Sequence, residues 1–220
     1  MTLNREQSCL EYVKANAIKN NPKSVLDAID KFCYDVKGMM NVGDDKGPIV
    51  DGLIFKHKPK VMVELGGYVG YSAIRFGIAL SSINPDAKYF SFELNPEYVS
   101  IMKELIELSG LKNITVVTGA FASNFQKLKT DFGVDTVDFF FLDHWKDAYL
   151  SDIKLIEKEG LLHDDSVVVA DNVIYPGAPE YLEYVRGNPN FYHNETITSC
   201  LEYTKGKVVD ALQVSIYRRI

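Results

Sequence analysis

The sequence predicts an α/β fold: a mostly parallel seven-stranded sheet with helices on both faces, an antiparallel C-terminal hairpin and added N-terminal helices. Three observations predict it. From Lys60 onward, short buried-strand runs alternate with helical stretches, the pattern that builds a parallel sheet through crossover helices. Residues 191–204 and 208–217 are rich in Tyr, Thr and Val, with no helix clearly between them, which predicts two final strands. Before Lys60 the apolar residues follow helical spacing instead.

Taken in order, Cys9, Leu10, Val13 and Ala17 share one helical face, and a second helix follows Pro22 with Val25, Leu26, Ile29, Phe32 and Cys33 on its apolar side. Asn41-Val42-Gly43-Asp44-Asp45 reads as a turn, followed by a short helix that ends before Pro59. Val61–Leu65 is the first strand and Gly66-Gly67-Tyr68-Val69-Gly70 the turn after it, leading into a helix from Tyr71 to Leu80. Tyr89–Phe92 is the second strand, closing on Glu93; Asn95 caps a helix with Pro96 in its first turn, and Gly110 stops it. Ile114–Val117 is the third strand, with a helix around Phe125 to Leu128. Val137–Leu142 is the fourth, closing on Asp143, with a helix through Ile153–Ile156 that Gly160 ends. Val167–Ala170 is the fifth, closing on Asp171. No repeat or linker divides the chain. Residues 1–220 are expected to form one domain, with 1–58 a helical cover and 59–220 the α/β core.

Composition narrows the function. Of 220 residues, 46% are hydrophobic and 25% charged, an ordinary globular balance, and the net charge of −6 supplies no field for a phosphate backbone, so nucleic acid is not an expected partner. No uncharged run reaches the roughly 18 residues of a membrane helix. The start, Met1–Gln7, has no apolar leader core. Cys9, Cys33 and Cys200 are odd in number and form no C-x-x-C pair, so free thiols in the cytoplasm are expected.

In such sheets ligands bind beyond the carboxyl ends of the strands, at the switch point. Those ends carry Glu64, Glu93, Asp143 and Asp171. The Gly66–Gly70 turn is G-G-x-x-G with Glu64 ahead of it, which suits a cationic ligand such as a sulfonium better than a pyrophosphate. Glu93 is placed to accept from ribose hydroxyls, so an adenosine-containing ligand is expected. Asp143, Asp171 and Asn172 put two carboxylates and an amide oxygen at adjacent strand ends, a donor set for Mg²⁺. His144 reads as a packing or hydrogen-bonding residue and Trp145 as cover for a flat ring. Lys146, three residues after Asp143, would sit beside that cation, where charge and desolvation favour the neutral amine that acts as a base. Met39-Met40 reads as core, or as a flexible wall over the ligand.

The strings Met40-Asn41-Val42-Gly43-Asp44, Glu64-Leu65-Gly66, Gly70-Tyr71-Ser72-Ala73, Phe141-Leu142-Asp143-His144-Trp145-Lys146-Asp147, Ala170-Asp171-Asn172-Val173-Ile174, Pro176-Gly177 and Leu201-Glu202-Tyr203 resemble the catechol O-methyltransferases. These belong to the class I S-adenosylmethionine-dependent methyltransferases, and the resemblance runs from about Glu6 to Tyr217. It implies a Rossmann-like methyltransferase fold and Mg²⁺-dependent methyl transfer to one hydroxyl of a catechol. Asp143, Asp171 and Asn172 would hold the metal, and Lys146 would be the general base. Glu202 would accept from the hydroxyl that is not methylated, so that Lys146, Asn172 and Glu202 form the catalytic set. Met40, Val42, Glu64, Gly66, Tyr68, Ser72, Glu93, Asp143, His144 and Trp145 would line the S-adenosylmethionine site. Met40 and Pro176 would flank the reacting ring, alongside Lys146, Asn172 and Glu202.

The chain also departs from that pattern. Gly38 stands where vertebrate members carry a tryptophan wall, Phe121-Ala122 where they carry a Ser-Gln pair near adenine, and Tyr175 where they carry valine. Metal and base chemistry are expected to persist while ring selectivity and cofactor affinity differ. A monomer acting on a small molecule is expected. Two alternatives stand beside this reading: an NAD-dependent oxidoreductase, suggested by strand–glycine–helix with an acidic strand end, and a non-catalytic S-adenosylmethionine-binding protein.

Overall fold

The computed structural model describes residues 4–219; Met1–Leu3, part of the stretch read for a leader, lie outside the described residues. Three helices open the chain: α1 (Arg5–Asn16), α2 (Pro22–Asp35) and α3 (Gly43–His57). Asn4 and Asn21 cap the first two by accepting from the N–H groups of Gln7 and Ser24, and Pro22 sits in the first turn, where its missing N–H costs nothing. Val13 of α1 packs with Val25, Ile29 and Phe32 of α2 as expected. Gly43–Asp45, read as a turn, instead form the first turn of α3.

Seven strands follow: β1 (Val61–Leu65), β2 (Lys88–Glu93), β3 (Ile114–Thr118), β4 (Val137–Leu142), β5 (Leu162–Ala170), β6 (Tyr192–Cys200) and β7 (Val209–Tyr217). Their order is β3-β2-β1-β4-β5-β7-β6. β1 to β5 run parallel, while β7 pairs antiparallel with both β5 and β6. Between them lie α4 (Tyr71–Ile83), α5 (Pro96–Ser109), the one-turn α6 (Phe121–Asn124) and α7 (Lys127–Thr130), α8 (Tyr149–Lys158) and α9 (Pro179–Gly187). The fold is the expected one.

Both faces of the sheet are covered, which is why the strands read as unbroken apolar runs. Along β4, Phe139 and Phe141 face the core shared with α1–α5, and Phe140 and Leu142 face the core shared with α8 and α9. All four are fully buried, each contributing roughly 1.5–3 kcal/mol.

Three boundaries differ from the reading. The helix expected around Phe125–Leu128 is two short turns, because bonding tightens there: Leu128 N–H donates to Phe125 and Lys129 N–H to Gln126, three residues back rather than four. β6 stops at Cys200 rather than at 204, since Tyr203, Lys205 and Gly206 all adopt left-handed backbone, and Leu201 N–H closes the loop on Val208. Glu202 is therefore a loop residue. β5 begins at Leu162, ahead of the expected Val167, and α9 answers to no expectation.

Candidate active site

The strand order reverses between β1 and β4, so their carboxyl ends open a crevice. Backbone bonds step across it: Gly66 N–H donates to Phe92, Asp143 N–H to Leu65 and Asp171 N–H to Leu142, each at 2.8–2.9 Å. These bonds place Asp143 and Asp171 side by side. Gly66 has φ +96°, and a Cβ there would lie 2.5 Å from the Asp143 carbonyl oxygen. Only glycine lets the β1 turn pass this close to the end of β4.

An acidic cluster forms at the ends of β4 and β5. Lys146 opens a short 3-10 turn (Lys146–Ala148) that leads into α8, and its Nζ donates to Asp143 Oδ1 at 3.0 Å and to the Tyr149 hydroxyl at 2.7 Å. Tyr149 in turn donates to the Leu142 carbonyl. Asp171 Oδ1 accepts from Asn172 N–H at 2.6 Å and from Lys46 Nζ at 2.5 Å. Lys46 is fully buried, and its Nζ also donates to Asp210 Oδ2 at 2.8 Å and lies 3.3 Å from Glu202 Oε2. Asn172, with left-handed backbone, turns its Nδ2 onto Asp210 at 2.9 Å. The other Asp210 oxygen accepts from the N–H groups of Ile174 and Tyr175.

Electrostatics follow from burial. Burial raises the Asp143 carboxyl above its ordinary range, against the charges of Lys146 and Lys46. Burial and then the charge of Asp143 raise Asp171, and burial raises Glu202. Burial works against the Lys46 ammonium, yet the carboxylates of Asp171, Glu202 and Asp143 prevail and hold it charged. Asp210 is also disfavoured by burial, but the hydrogen bond and charge of Lys46 bring its carboxyl below the usual range.

The β1 side of the crevice is built differently. Glu64 is fully buried; it accepts from the Ser91 hydroxyl, and burial pushes its carboxyl up to about 7 against the bonds of Ser72 and Ser91. Glu93 accepts from Tyr68 N–H at 2.8 Å and from Asn95 N–H at 2.7 Å, which ties the glycine turn to the start of α5. The Tyr68 phenol donates to Glu6 at 2.5 Å and accepts from Arg5 at 2.9 Å, both on α1. His144 pairs with Asp152 at 2.8 Å and stacks on Tyr149, the packing role expected of it. Val42 and Ser72 are buried, while Met40 and Pro176 are exposed. Trp145 is 75% exposed, and Tyr175, past the end of β5, is exposed as well. Met39 joins the core, while Met40 is exposed. No side-chain atom lies near the position a Cβ would take at Gly38.

Lys46 and Asp210 are the site residues that sequence reasoning missed. One signal existed for Lys46: Gly43, Lys46, Gly47, Val50, Leu53 and Ile54 form the buried stripe of α3, and a lysine on such a stripe needs a partner. Asp210 sits inside an apolar strand without such a signal.

The residues fit the two groups they were expected to hold. Asp143 Oδ2 and Asp171 Oδ2 accept no hydrogen bond among the described residues, and the Asn172 amide is turned so that its oxygen faces away from Asp210. That donor set is all oxygen, as a hard divalent cation requires. No group of three His, Cys, Asp or Glu side chains among the described residues suits a metal, so water or ligand would complete the shell. Glu64 Oε1, His144 Nδ1 and Asn41 Oδ1 are buried without a partner among the described residues, acceptors free for a bound molecule's donors.

The family model for O-methyltransferase matches residues 17–199. The catechol O-methyltransferase of Bos taurus is 44% identical over 219 residues, covering 99% of this chain and 78% of its own. Catechol O-methyltransferase B of Danio rerio is 42% identical over 214 residues, covering 97% and 79%. Among solved structures, an O-methyltransferase of Streptomyces achromogenes in complex with S-adenosylmethionine superposes with a TM-score of 0.74 at 19% identity, covering 99% of this chain and 100% of that one.

Proposed function

The chain belongs to the O-methyltransferase family and is an S-adenosylmethionine-dependent O-methyltransferase, and we propose that its acceptor is one hydroxyl of a catechol, activated by Mg²⁺ and by Lys146 as general base. The observation that carries this reading is the convergence of Asp143, Asp171, Asn172 and Lys146 at two adjacent strand ends beside the β1 crevice. Family membership leaves no support for NAD-dependent hydride transfer.

Asp143, Asp171 and Asn172 would hold Mg²⁺, which when bound supplies Lewis-acid lowering of the hydroxyl pKa from about 10, the phenol value. Lys146 takes the hydroxyl proton at Nζ, where Asp143 and Tyr149, its two partners, receive the charge. S-adenosylmethionine, when bound, would supply the methyl group to that hydroxyl oxygen, its sulfur keeping the electron pair of the broken C–S bond. Glu202 accepts from the second hydroxyl, so only one oxygen is presented. Met40 and Pro176 hold the ring, Trp145 covers adenine, Glu93 takes the ribose, and Val42, Gly66, Tyr68, Ser72 and His144 complete the cofactor crevice. Buried Glu64 faces the positive end of the cofactor with its unpartnered oxygen. Most of the rate enhancement then comes from positioning.

We further take the chain as one methyltransferase domain, a monomer in the cytoplasm. The three cysteines are free thiols, and no helix among the described residues is long and apolar enough to cross a membrane. The test is methyl transfer from labelled S-adenosylmethionine to a small catechol acid, with Mg²⁺ and with excess chelator. Transfer that chelator abolishes is expected; transfer that persists in chelator rejects the metal, and tight cofactor binding with no transfer to any diol rejects the acceptor.

A further inference from the structure

Two lysines enter the acidic cluster, and they are not alike. Lys146 is partly exposed and donates to one carboxylate and one phenol, which leaves one of its three N–H bonds uncommitted. Lys46 reaches the cluster from α3, the N-terminal cover, with no exposed surface. Its Nζ meets three carboxylates: Asp171 at 2.5 Å, Asp210 at 2.8 Å and Glu202 at 3.3 Å. Two of its N–H bonds go to Asp171 and Asp210 while its charge faces Glu202, and full burial leaves it no path to a substrate.

Those three carboxylates come from three places: the end of β5, strand β7 and the β6–β7 loop. With Asp143 they make four carboxylates, and Lys46 is a fully buried ammonium set against them. Negative charge remains in excess for a divalent cation to offset. Without Lys46, Asp171, Asp210 and Glu202 would repel one another at short range in a poorly screened interior.

We propose that Lys46 is a built-in counter-ion of the metal site, a positioning residue that holds Asp171, Glu202 and Asp210 together before metal arrives and keeps Mg²⁺ binding weak enough to exchange. The geometry allows both cations at once, since Lys46 takes Oδ1 of Asp171 and leaves Oδ2 open. This inference rests on the Mg²⁺ reading above.

The test is calorimetric Mg²⁺ titration and thermal unfolding of metal-stripped wild type, Lys46→Met, and the charge-compensated Lys46→Met/Asp210→Asn. Lys46→Met should bind Mg²⁺ about tenfold tighter or more, and its Tm, lowered without metal, should climb on adding Mg²⁺ well beyond the rise in wild type. The double variant should return to within about threefold of wild-type affinity. A loss of packing alone would lower Tm equally with and without Mg²⁺ and would not tighten binding. Unchanged or weakened affinity in Lys46→Met overturns the proposal, as does a variant that stays unfolded in Mg²⁺. If wild type binds no Mg²⁺ at all, the metal reading itself falls; if wild type binds and Lys46→Met matches it, only the counter-ion role falls.

Discussion

The Asn172 amide donates to Asp210 Oδ2 at 2.9 Å, and this bond decides which way the amide faces. An ionised Asp210 can only accept, so the NH₂ must turn toward it and the oxygen toward the cluster. Asp210 thus sets the orientation of a proposed metal ligand from a different strand.

Asp210→Ala takes one of three carboxylates from the Lys46 charge and frees the Asn172 amide. Removing one partner of a buried pair costs about 3–5 kcal/mol, so a large fall in the urea midpoint is expected. A variant as stable as wild type would mean that the Lys46–Asp210 contact does not form.

Lys146→Ala should lower kcat by about 10²-fold or more while KM for the catechol changes little, because the lost group acts in the proton-transfer step. Steady-state methyl transfer at saturating Mg²⁺ measures this. A kcat within a few-fold of wild type would remove Lys146 from the mechanism.

Glu64 predicts a pH dependence. Its folded pKa of about 7 lies above the ordinary 4.5. Below 4.5 the carboxyl is protonated whether the chain is folded or not, and it costs nothing. As pH rises toward 7 the unfolded chain releases the proton more readily, so stability falls across that window and levels off above it. The loss is on the order of 3 kcal/mol. Glu64→Gln should remove this slope, narrowing the Tm difference between pH 5 and pH 8. Parallel Tm curves for the two proteins would refute the shift.

Gly66→Ala places a methyl 2.5 Å from the Asp143 backbone at a positive φ. Destabilisation of about 3 kcal/mol and weaker Mg²⁺ activation are expected together, since the displaced backbone carries Asp143. Loss of stability with the Mg²⁺ response intact would separate the turn from the metal site.

Gly38→Trp tests the open wall. Nothing occupies the space at Gly38, so Tm should hold within about 1 °C, while KM for a small catechol acid should fall several-fold. An unchanged KM would show that position 38 does not face the ring.

What could be read from the sequence was what is decided locally. Asn95, Pro96 and Gly110 bracket α5 by capping, which involves neighbours only. Asp143, Asp171 and Asn172 were visible because a polar residue ending an apolar strand marks the ligand end of a parallel sheet. Lys46 escaped because its burial is made possible by Asp171 and Asp210, 125 and 164 positions away. Helix α9 escaped because only Tyr181 and Val185 mark its buried side. The split of α6 from α7 is a change of hydrogen-bond register with little compositional trace. The partner of the Tyr68 phenol, Glu6, lies on a helix more than sixty residues earlier.

The strand order carries a lesson about synthesis. β7 is the last strand to leave the ribosome, yet it sits between β5 and β6, and β6 pairs with it alone. The last strand therefore completes the sheet and the acidic cluster together: it covers the β5 edge, gives β6 its partner and brings Asp210 to Lys46 and Asn172.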